Sequence, residues 1–96
     1  MKIPVVQRKE YTIFLERRHG VSFVHCNVYR WNRSVKLQLD KDWEALCLLH
    51  NEPIYATHVV GDQKHSKFLK MYGFTYVCKS IAPNLIELEI FRKDIP

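Results

Sequence analysis

The chain predicts an α+β fold with one mixed sheet and two helices, in the order β-β-α-β-α-β-β, and three observations predict it. Runs rich in β-branched and aromatic residues recur from residue 11 to residue 91, as strands require. Two other stretches repeat their apolar residues at helical rather than alternating spacing. These helical stretches are interspersed with the strands, and no repeat, linker or low-complexity segment divides the 96 residues. A chain of this length buries only about two-thirds of its unfolded surface, so residues 1–96 read as a single domain.

Residues 11–16 and 21–29 flank Arg17-Arg18-His19-Gly20 and read as two antiparallel strands joined by a tight loop. The charges of that loop suit a solvated hairpin turn that keeps strand edges unpaired. From Asn32 or Ser34 to His50, the residues Val35, Leu39, Trp43, Leu46 and Leu49 or His50 share one helical face. Val35, Leu37 and Leu39 also alternate as in a strand, and Asp40 or Asp42 can cap a shorter helix. Two starting points for this helix therefore stay open. Residues 53–60 are mostly apolar and β-branched, which suits a central strand covered on both faces. Residues 75–80 and 85–91 form a closing pair around Ala82-Pro83-Asn84.

The segment Gly61-Asp62-Gln63-Lys64-His65-Ser66-Lys67-Phe68-Leu69-Lys70-Met71-Tyr72-Gly73-Phe74 carries the most information. Asp62 can cap the first turn of a helix over 62–72, and His65, Phe68, Leu69 and Tyr72 recur on one stripe. Gly73 ends the helix in the left-handed conformation, and Phe74 packs back on the last turn. Phe68 is expected to be fully buried against the central strand. This pattern resembles the last helix of the GNAT (GCN5-related N-acetyltransferase) superfamily, with Asp62, His65, Phe68, Leu69 and Gly73-Phe74 at the corresponding places. His65 and Phe68-Leu69-Lys70 make it most similar to small GNAT-like proteins of tailed phages, some associated with virion heads or internal cores. The resemblance implies a truncated GNAT-like domain, since residues 1–10 leave little room for the usual first strand and first two helices.

A composition of 47% apolar and 26% charged residues is that of an ordinary globular protein and excludes wholesale disorder. No apolar run approaches the roughly 20 residues that span a bilayer, and residues 1–8 lack the apolar core of a signal peptide. The expectation is a cytoplasmic protein, in the host cytoplasm or the virion if phage-encoded, with no membrane partner. Cys26, Cys47 and Cys78 are an odd, widely spaced set that reads as free thiols, with Cys47 a small buried hydrophobe. No CxxC or HxxxH pair offers a chelating turn, so no metal site is expected. The net charge of +5 favours acidic partners without choosing among them.

GNAT enzymes resemble one another at two chemical places, and this chain departs from both. A glycine-rich loop before the long helix turns backbone N–H groups onto the pyrophosphate of acetyl-CoA, which needs bare backbone. Here that segment is Tyr29-Arg30-Trp31-Asn32-Arg33-Ser34-Val35-Lys36, without glycine. Arg30, Arg33, Ser34 and Lys36 are the cofactor-binding residues only if CoA is bound, holding phosphate by side-chain charge. Trp31 is expected to plug the junction of strand and helix. The tyrosine that protonates the leaving thiolate is replaced by Leu69, which has no proton to give. Tyr72 lies about 4.5 Å further along the axis at 1.5 Å per residue and, with His65, is the candidate for catalysis. A packing role is favoured for Tyr72, and a neutral structural role for His65 beside the helix N-terminus. His25 and His58 fall on strands that the resemblance makes neighbours, but neither has a carboxylate at a spacing that orients it. Asp40, Asp42 and Glu44 read as a solvated acidic arc.

The function expected is a non-catalytic GNAT-like accessory or virion assembly protein without a cofactor, acting as an interaction scaffold for a protein partner or as a homo-oligomer. Two alternatives stand beside it. One is an acetyl-CoA-dependent N-acetyltransferase with a degenerate loop. The other is a nucleic-acid-binding protein using Arg30, Trp31, Arg33 and Lys36, with Arg17 and Arg18 adjoining.

Overall fold

The computed structural model describes residues 1–94. Its elements in chain order are β1 (Lys2–Gln7), β2 (Tyr11–Arg18), β3 (Val21–Val28), α1 (Arg33–His50), β4 (Ile54–Val59), α2 (Gln63–Met71), β5 (Thr75–Ile81) and β6 (Glu87–Lys93). The strands form one sheet in the spatial order β1-β2-β3-β4-β6-β5. From β2 onward the series is the expected one. Residues 1–10 add a strand before it, and Pro4 fits there because β1 is an edge, paired only with β2 through a register shift between Pro4 and Val6.

The β2–β3 hairpin turns through His19 (φ 50°) and Gly20 (φ 79°), the two left-handed residues of the turn whose twist matches paired strands. The β3–β4 pair is parallel, and α1 is its crossover. The other pairings are antiparallel. The choice of start for α1 is settled at Arg33, because the Asn32 side chain accepts the Val35 N–H at 2.9 Å. Val35 and Leu39 are buried, and at the far end His50 turns partly inward while Leu49 stays 86% exposed. Asn51 leaves the helix left-handed at φ 52° and returns its N–H to the Cys47 carbonyl.

Both ends of α2 are formed as the sequence predicts. Asp62 Oδ1 accepts the His65 N–H at 3.1 Å. At the other end the Phe74 N–H reaches the Leu69 carbonyl and the Gly73 N–H that of Lys70, with Gly73 at φ 83°, the paired bonds of a Schellman cap. The buried stripe, however, is centred on Leu69 rather than Phe68. Leu69 joins Ile54, Ala56, Phe74 and Phe91 in one core cluster. Phe68 sits on the flank of the helix, half-buried between the rings of Trp31 and Tyr72. β6 begins at Glu87, two residues later than expected, because Leu85 turns left-handed (φ 64°) within a loop closed by Ala82 and Ile86.

A second cluster, Tyr11, Ile13, Val35 and Leu39, lies on the β1 side of the sheet. Val24 and Tyr72 pack against both clusters. Both helices lie on the face that carries Tyr11, Ile13, Ile54 and Ala56. Alternation places Phe14, Glu16, His25 and Tyr55 on the other face.

A cleft at the splayed β3–β4 pair

β3 and β4 are in register only at Ser22–Ile54 and Phe23–Tyr55, although β3 continues to Val28 and β4 to Val59. Beyond that point the facing edges carry backbone groups that no ladder between the two strands uses. A cleft of about 420 Å³ opens there, walled by Val24, Cys26 and Val28 on one side and Ala56 and Thr57 on the other, with His65 and Phe68 above. Burial raises the Cys26 thiol to about 11, so it stands there as a protonated apolar group rather than a nucleophile.

The two catalytic candidates occupy different surroundings. The Tyr72 hydroxyl donates to Asp40 Oδ1 at 2.7 Å. Burial, and then this carboxylate, push its pKa upward, which suits a fixed hydrogen-bond donor. His65 places Nδ1 3.1 Å from Nδ1 of the buried His58, so one ring donates and the other accepts. Burial and the neighbouring His58 lower the pKa of His65, against a small opposing effect of Asp62. His58 also approaches Glu89 through Nε2 at 3.8 Å.

Three readings of side chains are corrected by the fold. His25 does have an orienting carboxylate, Glu16 Oε1 at 3.0 Å from Nε2, on the sheet face opposite His58. The hairpin register, which places Phe14 opposite His25 and Glu16 opposite Phe23, was the signal that could have found it. Asp40 and Asp42 are not a solvated arc. Asp42 takes both Arg8 Nε and Nη2 at 3.0 Å as well as the Tyr11 hydroxyl, and Asp40 takes Lys36 and Tyr72. These bonds hold both carboxyls below the usual carboxylate range. Trp31 is not a plug, since it remains 47% exposed with its ring edge-on to Phe68 at 6.1 Å.

The four residues proposed for a cofactor phosphate separate. Arg30, Arg33 and Ser34 lie exposed at the mouth between β3 and α1. Lys36 turns away to pair with Asp40 at 2.9 Å, beside a second groove between the helices that also includes Glu44 and Lys93. Lys64, which sequence reasoning passed over, lines the cleft instead. Part of the backbone at this mouth is engaged as well. The Tyr29 and Arg30 N–H groups both donate to the Glu10 carbonyl, at 2.7 and 3.2 Å, and the Lys36 N–H donates to that of Asn32. The Val35 N–H is held by the Asn32 side chain. Among the described residues no group of three or more His, Cys, Asp or Glu is placed to hold a metal ion, and no helix is long and apolar enough to cross a membrane.

The parallel crossover followed by a splayed strand pair, with both helices on one face, matches a truncated GNAT-like fold, and the likeness is one of fold alone. Among solved structures, the chain is similar to the ribosomal-protein-S5-alanine acetyltransferase of Vibrio fischeri, at TM-score 0.61 and 18% identity over 88% of this chain and 54% of that one. A protein from Sphaerobacter thermophilus described as a candidate acetyltransferase aligns more loosely, at TM-score 0.48 and 12% identity over 88% of this chain and 60% of that one. The chain thus spans little more than half the length of the structures it matches. No family model matches the sequence, and no curated protein does.

Proposed function

We propose that this chain is a non-catalytic GNAT-like accessory protein that uses the acetyltransferase fold as an interaction scaffold. The carrying observation is the internal hydrogen bonding of the 29–36 segment. The N–H groups of Tyr29, Arg30, Val35 and Lys36 already have partners, so the backbone cradle that a pyrophosphate needs is half consumed. Tyr72 supports the same reading, because its hydroxyl is committed to Asp40. The setting implied by the resemblance of helix 62–72 is assembly of a tailed-phage head or core, with a protein partner.

A second reading, an acetyl-CoA-dependent N-acetyltransferase, is favoured by the open cleft between β3 and β4 and by His65 on its wall. Calorimetric titration with acetyl-CoA separates the two. The scaffold reading expects a dissociation constant no tighter than about 0.1–1 mM, or roughly −4 to −5.5 kcal/mol. A micromolar constant that weakens in Arg33→Ala overturns it in favour of the transferase.

A further inference from the structure

We propose that Arg30, Trp31, Arg33, Lys64 and Lys67 form a surface for single-stranded nucleic acid at the mouth of the β3–β4 cleft. This goes beyond the scaffold reading and does not depend on it. Five of the fifteen Lys and Arg side chains are neutralised by a carboxylate: Arg8 by Asp42, Arg17 by Glu52, Arg18 by Glu16, Lys36 by Asp40 and Arg92 by Asp94. Among the described residues no carboxylate lies within ion-pairing distance of Arg30, Arg33, Lys64 or Lys67. Asp62, the acidic group at this end of α2, is engaged in capping the helix.

The sequence separates these cations by about thirty positions, and the fold reunites them. The edge-on contact of Trp31 with Phe68 sets the loop before α1 against α2. Lys64 stands one turn before Phe68 and borders the cleft together with Val28. Lys67 precedes Phe68 directly, and all four cations are exposed. Beside them the Trp31 ring is exposed as well, to 47%, whereas Tyr29 turns its hydroxyl to Thr12 on β2.

That combination selects the ligand. Cations alone would fit any polyanion, but the exposed Trp31 plane beside them gains from stacking only if unpaired bases are present. A duplex hides its bases, and an acidic protein surface offers none. Lys36, included when the surface was read from sequence, is excluded because Asp40 already holds it.

The test is fluorescence anisotropy of a short labelled oligothymidine with the intact protein across a salt series. Four phosphate contacts at about −0.7 per phosphate predict a slope of log K against log salt near −3. Trp31→Ala should weaken binding roughly 5- to 150-fold, the equivalent of about 1–3 kcal/mol for one stacked base. Trp31→Phe should retain most of the affinity, which guards against a folding defect in the alanine variant. Lys64→Gln with Lys67→Gln should flatten the slope by about 1.4, and Lys36→Gln should change neither quantity. The proposal is overturned by absence of binding, by a duplex binding as tightly as the single strand, by polyglutamate competing as well as oligothymidine, or by indifference to Trp31→Ala or to the lysine pair.

Discussion

At the scale of single residues, His65 shows how position in the fold outweighs residue type. On the sequence it is one of five histidines, and in the fold its Nδ1 meets that of His58 at 3.1 Å. A proton added to this pair turns a donor–acceptor contact into two facing donors. Burial lowers its pKa below the ordinary value near 6.5, and His58 adds to the effect. Because the unfolded chain then binds the proton more readily than the folded one, stability is complete above that ordinary value and falls as the pH drops below it. Melting temperature should therefore decline between pH 7 and pH 5, and His65→Gln should flatten the decline, with His25 supplying a residue of it because burial lowers its pKa too. A variant whose profile overlays the parent's would remove His65 from this account.

At the scale of elements, α2 was read correctly at both ends and along the stripe of His65, Phe68, Leu69 and Tyr72, but not in which residue of that stripe is fully buried. Caps are local, so Asp62 and Gly73 can be recognised from a few neighbours. Which of two adjacent apolar residues points into the core depends on where the sheet lies, and that chose Leu69 over Phe68. Gly73 gives the element its own prediction. At φ 83° any side chain is strained, and a Cβ would stand 2.7 Å from Lys93 Nζ, the movable end of a flexible side chain. Gly73→Ala should thus cost about 1–2 kcal/mol, mostly from the left-handed backbone, and Gly73→Asn less. Urea denaturation measures both, and an alanine variant as stable as the parent would mean that the Schellman cap is not held in solution. α1 shows the same division. The sequence offered Asn32 or Ser34 for a long helix and Asp40 or Asp42 for a shorter one; Asn32 forms the cap, and Asp40 lies inside the helix, where it binds Lys36 and Tyr72.

At the scale of the whole molecule, burial is uneven across the sheet. Ile54 and Ala56 of β4 are all but inaccessible, whereas β5 pairs only with β6 and leaves Tyr76, Val77 and Ile81 40–66% exposed. Local stability follows buried apolar contact, so amide hydrogen exchange should be fastest in β5 and slowest in β4. Equal protection of the two strands would show that the β5 edge is covered in solution, as by a second copy of the chain.

The sequence by itself determined the elements from β2 onward, their order and the caps of α2, though not β1, because hydrophobic period, turn residues and capping side chains act over a few positions. It also showed that no glycine stands in the 29–36 segment. Only the tertiary structure decided which carboxylates are structural, that Trp31 stays half exposed and that Lys64 rather than Lys36 stands at the cleft. Those outcomes depend on pairs such as Arg8 with Asp42, Tyr72 with Asp40 and Trp31 with Phe68. Contacts between residues more than thirty positions apart are set by how strands register and helices pack, and no local pattern in a chain encodes them alone.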